Sequence, residues 1–336
     1  MSSIRLTGLV GSHPLGALAA FGLLRVLSEL PQFRTPRLSW TLEHDWLAVL
    51  HSDLDVAEDQ LKAEFLSALV ERQRGRAAAT FLSWSDDIKV DPQEFERILK
   101  EHARTCSLGQ REVISFLAAF GSEAIRARSK SNVKPTADVK PTALHMTSGQ
   151  QKFLKVAREI ANSLDPGRPA KRRENADVVR REKERAFTRA LFGPWRRQDR
   201  MHSLGWDPST EALYALSPSA PGDEKPFSER AAVWLAFEAM PLFPCFPVEN
   251  RLKTRSFANR PESFSWPIWR PAITLNTLSS LLTLPELIAP TPDMKALLHR
   301  GITAVYRSAC ERDANGRGTF RYAVLCACEL PRAILS

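Results

Sequence analysis

The feature that most constrains the fold of this chain is a strand-like segment followed directly by a helix built from small residues. Residues 4–10 are mostly apolar and predict a buried strand, after which Pro14 stands at the first helical position, where its missing N–H costs nothing. The helix then carries a run of small residues, namely Gly16, Ala17, Ala19, Ala20 and Gly22. Because these side chains are short, another backbone can approach the helix closely.

A second strand is predicted at residues 37–42, so the chain opens with a β-α-β unit of ferredoxin-like character. Apolar residues at helical spacing predict an amphipathic helix over 56–73. Later segments predict helices after Pro92 and over 111–120, an edge strand at 264–269, and closing strands at 302–306 and 321–328. The predicted fold class is α+β, with helical insertions and an Arg-rich helical segment.

One loop divides the predicted elements into two groups. Residues 129–141 lack periodicity and contain two Lys-Pro steps, which predicts an extended loop or hinge. A length of 336 residues also suggests about two domains. The predicted organisation is an N-terminal α+β domain over 1–130, a linker over 131–141 and a second α+β region over 142–336.

Most of the net charge of the chain lies in residues 168–200. This Arg-rich segment holds twelve Lys and Arg residues and five acidic ones, so its excess of +7 supplies most of the +9 of the whole chain. Ten of the twelve cations are Arg, which suits bidentate phosphate contact, and Trp195 offers a flat ring beside them. The segment predicts nucleic-acid contact, although mixed charges at this spacing are also typical of a solvated helix face.

A second group of candidate contacts lies at predicted helix starts. His13 sits in a Gly-Ser-His-Pro turn, where unpaired N–H groups favour an anion, and His145 precedes a polar turn that could present hydroxyl and amide groups to a phosphate. The complete set of predicted nucleic-acid contacts is Arg172, Arg173, Arg180, Arg181, Arg196, Arg197 and Arg200, with Trp195, Gln150, Gln151, Lys152 and His13.

Several kinds of catalytic or metal site find no support in the sequence. No P-loop and no His-Glu-x-x-His pattern is present, and the adjacent acids Asp86 and Asp87 point apart too readily to form a metal cage. No metal, cofactor or catalytic residue is therefore predicted.

The cysteine and hydropathy patterns predict a cytoplasmic protein. Five scattered cysteines lack zinc-ligand spacing and a disulfide framework, which favours free thiols in a reducing compartment. The apolar stretch 15–24 is interrupted by Arg25 well before the ~18 residues that a membrane span needs. No membrane partner is predicted.

Short segments spread along the chain carry a family resemblance. They are residues 8–18 with 23–25, residues 144–154, the Leu-Gly-Trp-Asp-Pro turn at 204–208, and residues 237–244 with 264–269. In their order these segments resemble the CRISPR-associated proteins of type I-U (also called I-G) effector loci, in the small large-subunit-like family of the Cascade surveillance complex.

The resemblance implies a non-catalytic subunit that contacts crRNA or target DNA beside other Cascade subunits. A large subunit in such complexes commonly inspects the protospacer-adjacent motif while base pairing reads the remaining sequence, and a separate helicase-nuclease performs cleavage. Two other functions fit the same residues. One is a metal-independent ribonuclease that processes crRNA with His13 or His145, and the other is a structural subunit whose Arg-rich helix binds an acidic protein partner.

Overall fold

The computed structural model describes residues 2–104, 108–127, 138–149, 151–168, 175–210, 227–259, 261–314 and 316–329. The helices in these ranges are α1 (Pro14–Ser28), α2 (Glu58–Arg72), α3 (Thr80–Ser83), α4 (Pro92–Ala103), α5 (Leu108–Phe120), α6 (Phe153–Leu164), α7 (Ala176–Phe192), α8 (Arg230–Glu238), α9 (Leu275–Leu281) and α10 (Met294–Leu298).

The strands in the same ranges are β1 (Ser2–Val10), β2 (Arg37–Leu42), β3 (Trp46–Ser52), β4 (Gly121–Arg126), β5 (Val139–Pro141), β6 (Asp199–Arg200), β7 (Phe227–Ser228), β8 (Cys245–Val248), β9 (Arg251–Thr254), β10 (Phe257–Asn259), β11 (Glu262–Trp269), β12 (Ile302–Arg312), β13 (Gly318–Phe320) and β14 (Val324–Cys328). Helices and several small antiparallel sheets thus occur together, which confirms the α+β class.

The first sheet has the order β1-β3-β2, and both pairings are antiparallel. Strands β1 and β2 therefore run parallel with β3 between them, and α1 connects them and packs against both. This is the β-α-β opening that the sequence predicts. Helix α1 begins after His13, with Pro14 in its first turn.

The second large sheet is built around β12, which pairs with β11 on one side and with β13 and β14 on the other. The predicted closing strands are thus confirmed. Strand β11 lies between β12 and the short strand β10, which pairs with residues 262–264, and the N–H of Ser265 donates to the carbonyl of Ser256 at 2.9 Å. The prediction of an edge strand at 264–269 is therefore wrong for its first residues, because a short hairpin strand folds back onto them.

Two indole rings join the two large sheets. Trp266 Nε1 donates a hydrogen bond to the carbonyl of Gly11 at 2.8 Å, and Trp269 Nε1 donates to the carbonyl of Leu38 at 2.8 Å. Both rings are buried, and their polar edges are satisfied by backbone from the first sheet. Residues on either side of 131–141 therefore contribute to one hydrophobic core.

Helix α7 lies against the free edge of β1. Thr7 Oγ1 donates to the carbonyl of Phe192 at 2.7 Å, and a Cβ on Gly8 would come within 2.5 Å of the carbonyl oxygen of Ala190. The Arg-rich helix is thus docked on the first sheet by its C-terminal end. Among the described residues, no helix combines the length and the apolar character that a bilayer crossing requires.

Candidate nucleic-acid interface

The cations of α7 fall into two groups with different surroundings. The first group faces α2 and is engaged. Arg180 Nη2 donates to Ser67 Oγ at 2.8 Å and its Nη1 lies 3.4 Å from Glu71 Oε2, while the buried Lys183 lies 2.7 Å from a Glu182 carboxylate oxygen. Arg180 thus ties α7 to α2, whereas Lys183 is buried and paired with its own neighbour on α7.

The second group faces away from the core. Arg181 and Arg185 are exposed, and neither forms an ion pair with a carboxylate of the described residues. They are four residues apart, so they stand about 6 Å apart along one side of the helix. Arg189 is next on this side and lies 3.1 Å from Asp199, which places the end of the helix beside β6.

The exposed cations continue beyond the helix. Exposure alternates along residues 194–200 as the chain extends away from α7; Arg196 and Arg200 are both exposed, and neither forms an ion pair among the described residues. We call Arg181, Arg185, Arg196 and Arg200 the arginine row. Its two halves meet where Asp199, the neighbour of Arg200, binds Arg189.

Two buried carboxylates fix the extended half of this row. Glu229 Oε1 accepts hydrogen bonds from the backbone N–H groups of Arg196 and Arg197, at 2.7 Å each. Asp207, which is fully buried, accepts from Arg197 Nε at 2.8 Å. The backbone that carries Arg196 is therefore held in place, and its side chain extends from a supported segment.

The two carboxylates differ in their electrostatics. Burial raises the pKa of Glu229, and the N–H bonds from residues 196 and 197 offset this only in part. Burial also disfavours the charged form of Asp207, but its bonds with His13 and Arg197 outweigh this and hold the Asp207 pKa below its ordinary value. Asp207 is therefore a buried, ionised anchor for Arg197.

His13 and Trp195 belong to the same anchor. His13 Nδ1 accepts from the N–H of Gly16 at 3.4 Å, and its Nε2 lies 3.4 Å from Asp207 Oδ1. Trp195 meets the His13 ring edge-on at a centroid distance of 5.4 Å and donates from Nε1 to the carbonyl of Ala190 at 2.9 Å. Both rings help to hold α1 against the segment after α7.

His145 lies in a separate buried cluster. Its Nε2 is 2.9 Å from Asp87 Oδ1, and the side chain is 2% exposed. Burial lowers the pKa of His145, although Asp87 opposes the shift. Lys152, exposed at the start of α6, lies 4.0 Å from the other Asp87 oxygen. A bulky substrate could not reach His145 in this arrangement.

The predicted contact residues are thus distributed over several environments. Arg181, Arg196, Arg200 and Lys152 are exposed, Gln151 is partly buried, and Arg180 and Arg197 are bound to carboxylates. Arg172, Arg173 and Gln150 lie outside the described residues. Sequence analysis did not select Arg185 as a contact. Its spacing of four residues from both Arg181 and Arg189 could have identified it as part of the same helix face.

The described residues contain no group of three or more His, Cys, Asp and Glu side chains placed to hold a metal ion. Neither a scan of protein-family models nor a search of curated proteins matches this chain to a relative.

Proposed function

We propose that this protein is a non-catalytic nucleic-acid-binding subunit of a type I CRISPR surveillance complex in the cytoplasm, and that the arginine row contacts the phosphates of crRNA or target DNA. The observation that carries the binding proposal is the separation of cations described above. Arg180 and Lys183 are each paired with a carboxylate, whereas the four members of the row are exposed without a carboxylate partner in the described chain. The assignment to a CRISPR complex is supported by the sequence resemblance.

The chemistry of the row suits a polyphosphate. Each guanidinium that neutralises a phosphate releases condensed counterions, which makes binding favourable and dependent on salt. Arg presents a planar set of donors that can bind two phosphate oxygens at once. The buried Glu229 holds the backbone N–H groups of residues 196 and 197, and Asp207 holds the side chain of Arg197, so little ordering is required when a strand binds there.

The geometry gives less support to the alternative that this protein is a ribonuclease. His145 is buried against Asp87, and His13 is packed between Asp207 and Trp195. Each histidine has a structural role in these contacts. Incubation of repeat RNA with the protein in EDTA tests this alternative directly, since specific cleavage that is lost in His13→Ala would favour the enzyme.

A salt series tests the proposed function. Binding of labelled repeat RNA and of duplex DNA would be measured for the wild type, for R181A/R185A and for R196A/R200A. A matched control is R34A/K295A, which removes two exposed cations that also have no carboxylate partner among the described residues. Fluorescence anisotropy gives the slope of log K against log salt.

Loss of two phosphate contacts is expected to reduce the magnitude of the slope by about 1.4 on a single strand, or about 1.8 on duplex DNA. The control is expected to retain the wild-type slope. The proposal is contradicted if the wild type shows no salt-dependent binding, or if both row variants behave like the control. Co-elution of an acidic protein in place of crRNA, with no binding of either nucleic acid, would favour the structural alternative.

A further inference from the structure

Three lysines that are far apart in sequence come together beside the His145–Asp87 pair. Lys89 follows Asp87 by two residues, and the N–H of Val139 donates to the carbonyl of Val90 at 2.8 Å, which places β5 and its exposed Lys140 beside Lys89. Lys152 approaches the same place from the start of α6. We call Lys89, Lys140 and Lys152 the lysine cluster.

Two carboxylates near the cluster are already engaged. Asp87 lies 2.9 Å from His145 and 4.0 Å from Lys152, and Glu262 is taken by two hydrogen bonds from Arg312. Within the described ranges, Lys89 and Lys140 form no ion pair with a carboxylate. Lys89 and Lys140 are therefore exposed cations without an ion-pair partner in those ranges.

The lysines repel one another in the folded chain. Burial lowers the pKa of Lys89, and the nearby charges of Arg312, Lys140 and Lys152 lower it further against the opposing effect of Asp87. Folding thus holds these like charges close together. A bound polyanion would relieve this repulsion.

The segments that carry the lysines favour a phosphate backbone over an acidic protein. Protein interfaces usually contain apolar or aromatic anchors at their centre. The exposed large apolar side chains of the described chain are Val178, Phe227, Phe246, Leu298, Tyr322, Val324 and Leu325, none of which belongs to the segments that carry the lysines. Ser148 and Gln151, which lie near Lys152 along the chain, are polar, and such groups commonly bind phosphate and sugar oxygens.

We propose that the lysine cluster is a second phosphate-contact surface that binds the backbone of the same nucleic acid as the arginine row. The inference rests on the proposed function and extends it, because it assigns contacts to Lys89 and Lys140 on segments remote from residues 168–200. Two contact surfaces on one chain would hold a strand at two places and fix its path over the protein.

The test uses the double variant K89A/K140A beside the control R34A/K295A, so that both proteins lose two exposed cations. On labelled repeat RNA, K89A/K140A is expected to reduce the magnitude of the salt slope by about 1.4, and the control is expected to leave it unchanged. K89R/K140R, which keeps both charges, is expected to retain the wild-type slope. Thermal unfolding of each variant verifies that the fold is intact.

Combination with R181A/R185A separates the two proposals. If both surfaces contact one strand, the quadruple variant is expected to lose about 2.8 from the magnitude of the slope on a single strand. If the arginine variants lower the slope and K89A/K140A matches the control, the lysine inference fails while the proposed function stands. Absence of wild-type binding would overturn both.

Discussion

Glu238 is completely buried, yet its carboxylate is the centre of a charged network in the core. Arg25 Nη1 lies 2.6 Å from Glu238 Oε2, and Arg76 Nη2 lies 2.9 Å from Oε1. Glu112 joins the same arginines, at 3.2 Å from Arg25 and 2.5 Å from Arg76. The two arginines and two glutamates balance in charge. Each buried ion has several partners, which is the condition under which such a network can be tolerated.

Glu112 gives this network a testable dependence on pH. Burial raises its pKa, but bonds and charges from Arg76, Arg72 and Arg25 outweigh this and lower it from 4.5 to about 2. Because the folded-state pKa is depressed, the contribution of Glu112 to stability is complete above the unfolded value and is lost as the pH falls from about 4.5 toward about 2. The shift corresponds to at most about 3 kcal/mol.

We therefore expect Glu112→Gln to lower the free energy of unfolding at neutral pH and to weaken its dependence on pH in that acidic range. Glu94→Gln is the matched control, because Glu94 pairs with Arg97 on an exposed helix face and should leave stability nearly unchanged. Urea unfolding at a series of pH values provides the measurement. Identical pH profiles for Glu112→Gln and the wild type would show that the network does not depend on this charge.

At the scale of elements, α1 and α8 approach each other closely in the core. A Cβ on Gly22 would lie 1.7 Å from the carbonyl oxygen of Leu235 and 3.0 Å from the N of Ala239. Both atoms belong to backbone and cannot turn aside as a side chain could. The run of small residues in α1 is thus explained at Gly22 by direct contact between two helix backbones.

We expect Gly22→Ala to destabilise the protein by about 2 kcal/mol or more, because the two helices must separate to admit the methyl group. The matched control is Gly109→Ala in α5, where an added Cβ would meet nothing within 4 Å. Since Ala favours helix over Gly, the control should be neutral or more stable by up to about 1 kcal/mol. Urea midpoints at unchanged m-value measure both, and equal midpoints would contradict the close packing.

At the scale of the whole molecule, the core crosses the predicted boundary at 131–141. Gly22 and Gly11 from the first part contact Leu235 and Trp266 from the second. The division into two domains remains a prediction. These contacts nevertheless imply that residues 1–130 depend on the remainder of the chain to cover α1.

We expect a fragment of residues 1–130 to lack a cooperative unfolding transition, because removal of α8 and β11 exposes the buried faces of α1 and of the first sheet. Near-UV circular dichroism and urea unfolding of the fragment, compared with the full chain, provide the measurement. Native-like near-UV signal with a sharp transition in the fragment would instead support two independent domains.

The features of the candidate site that could be predicted from the sequence were those set by neighbouring residues. Charge counting located the Arg-rich segment, and residues 176–192 of it form helix α7. The sequence could not show that Arg180 is paired while its neighbour Arg181 is exposed. The partners of Arg180 are Glu71 and Ser67 of α2, which are distant in sequence. The lysine cluster could not be predicted for the same reason, since Lys89 and Lys140 are brought together by a hydrogen bond between segments that are remote in sequence.

The sequence by itself determined the α+β class, the β-α-β opening and the place where positive charge accumulates, because periodicity, turn residues and charge density act over a few neighbouring residues. Only the tertiary structure decided which cations are neutralised and which remain exposed. That outcome depends on the carboxylates, hydroxyls and carbonyls that folding brings to each guanidinium from elsewhere in the chain, and these partners are fixed by packing.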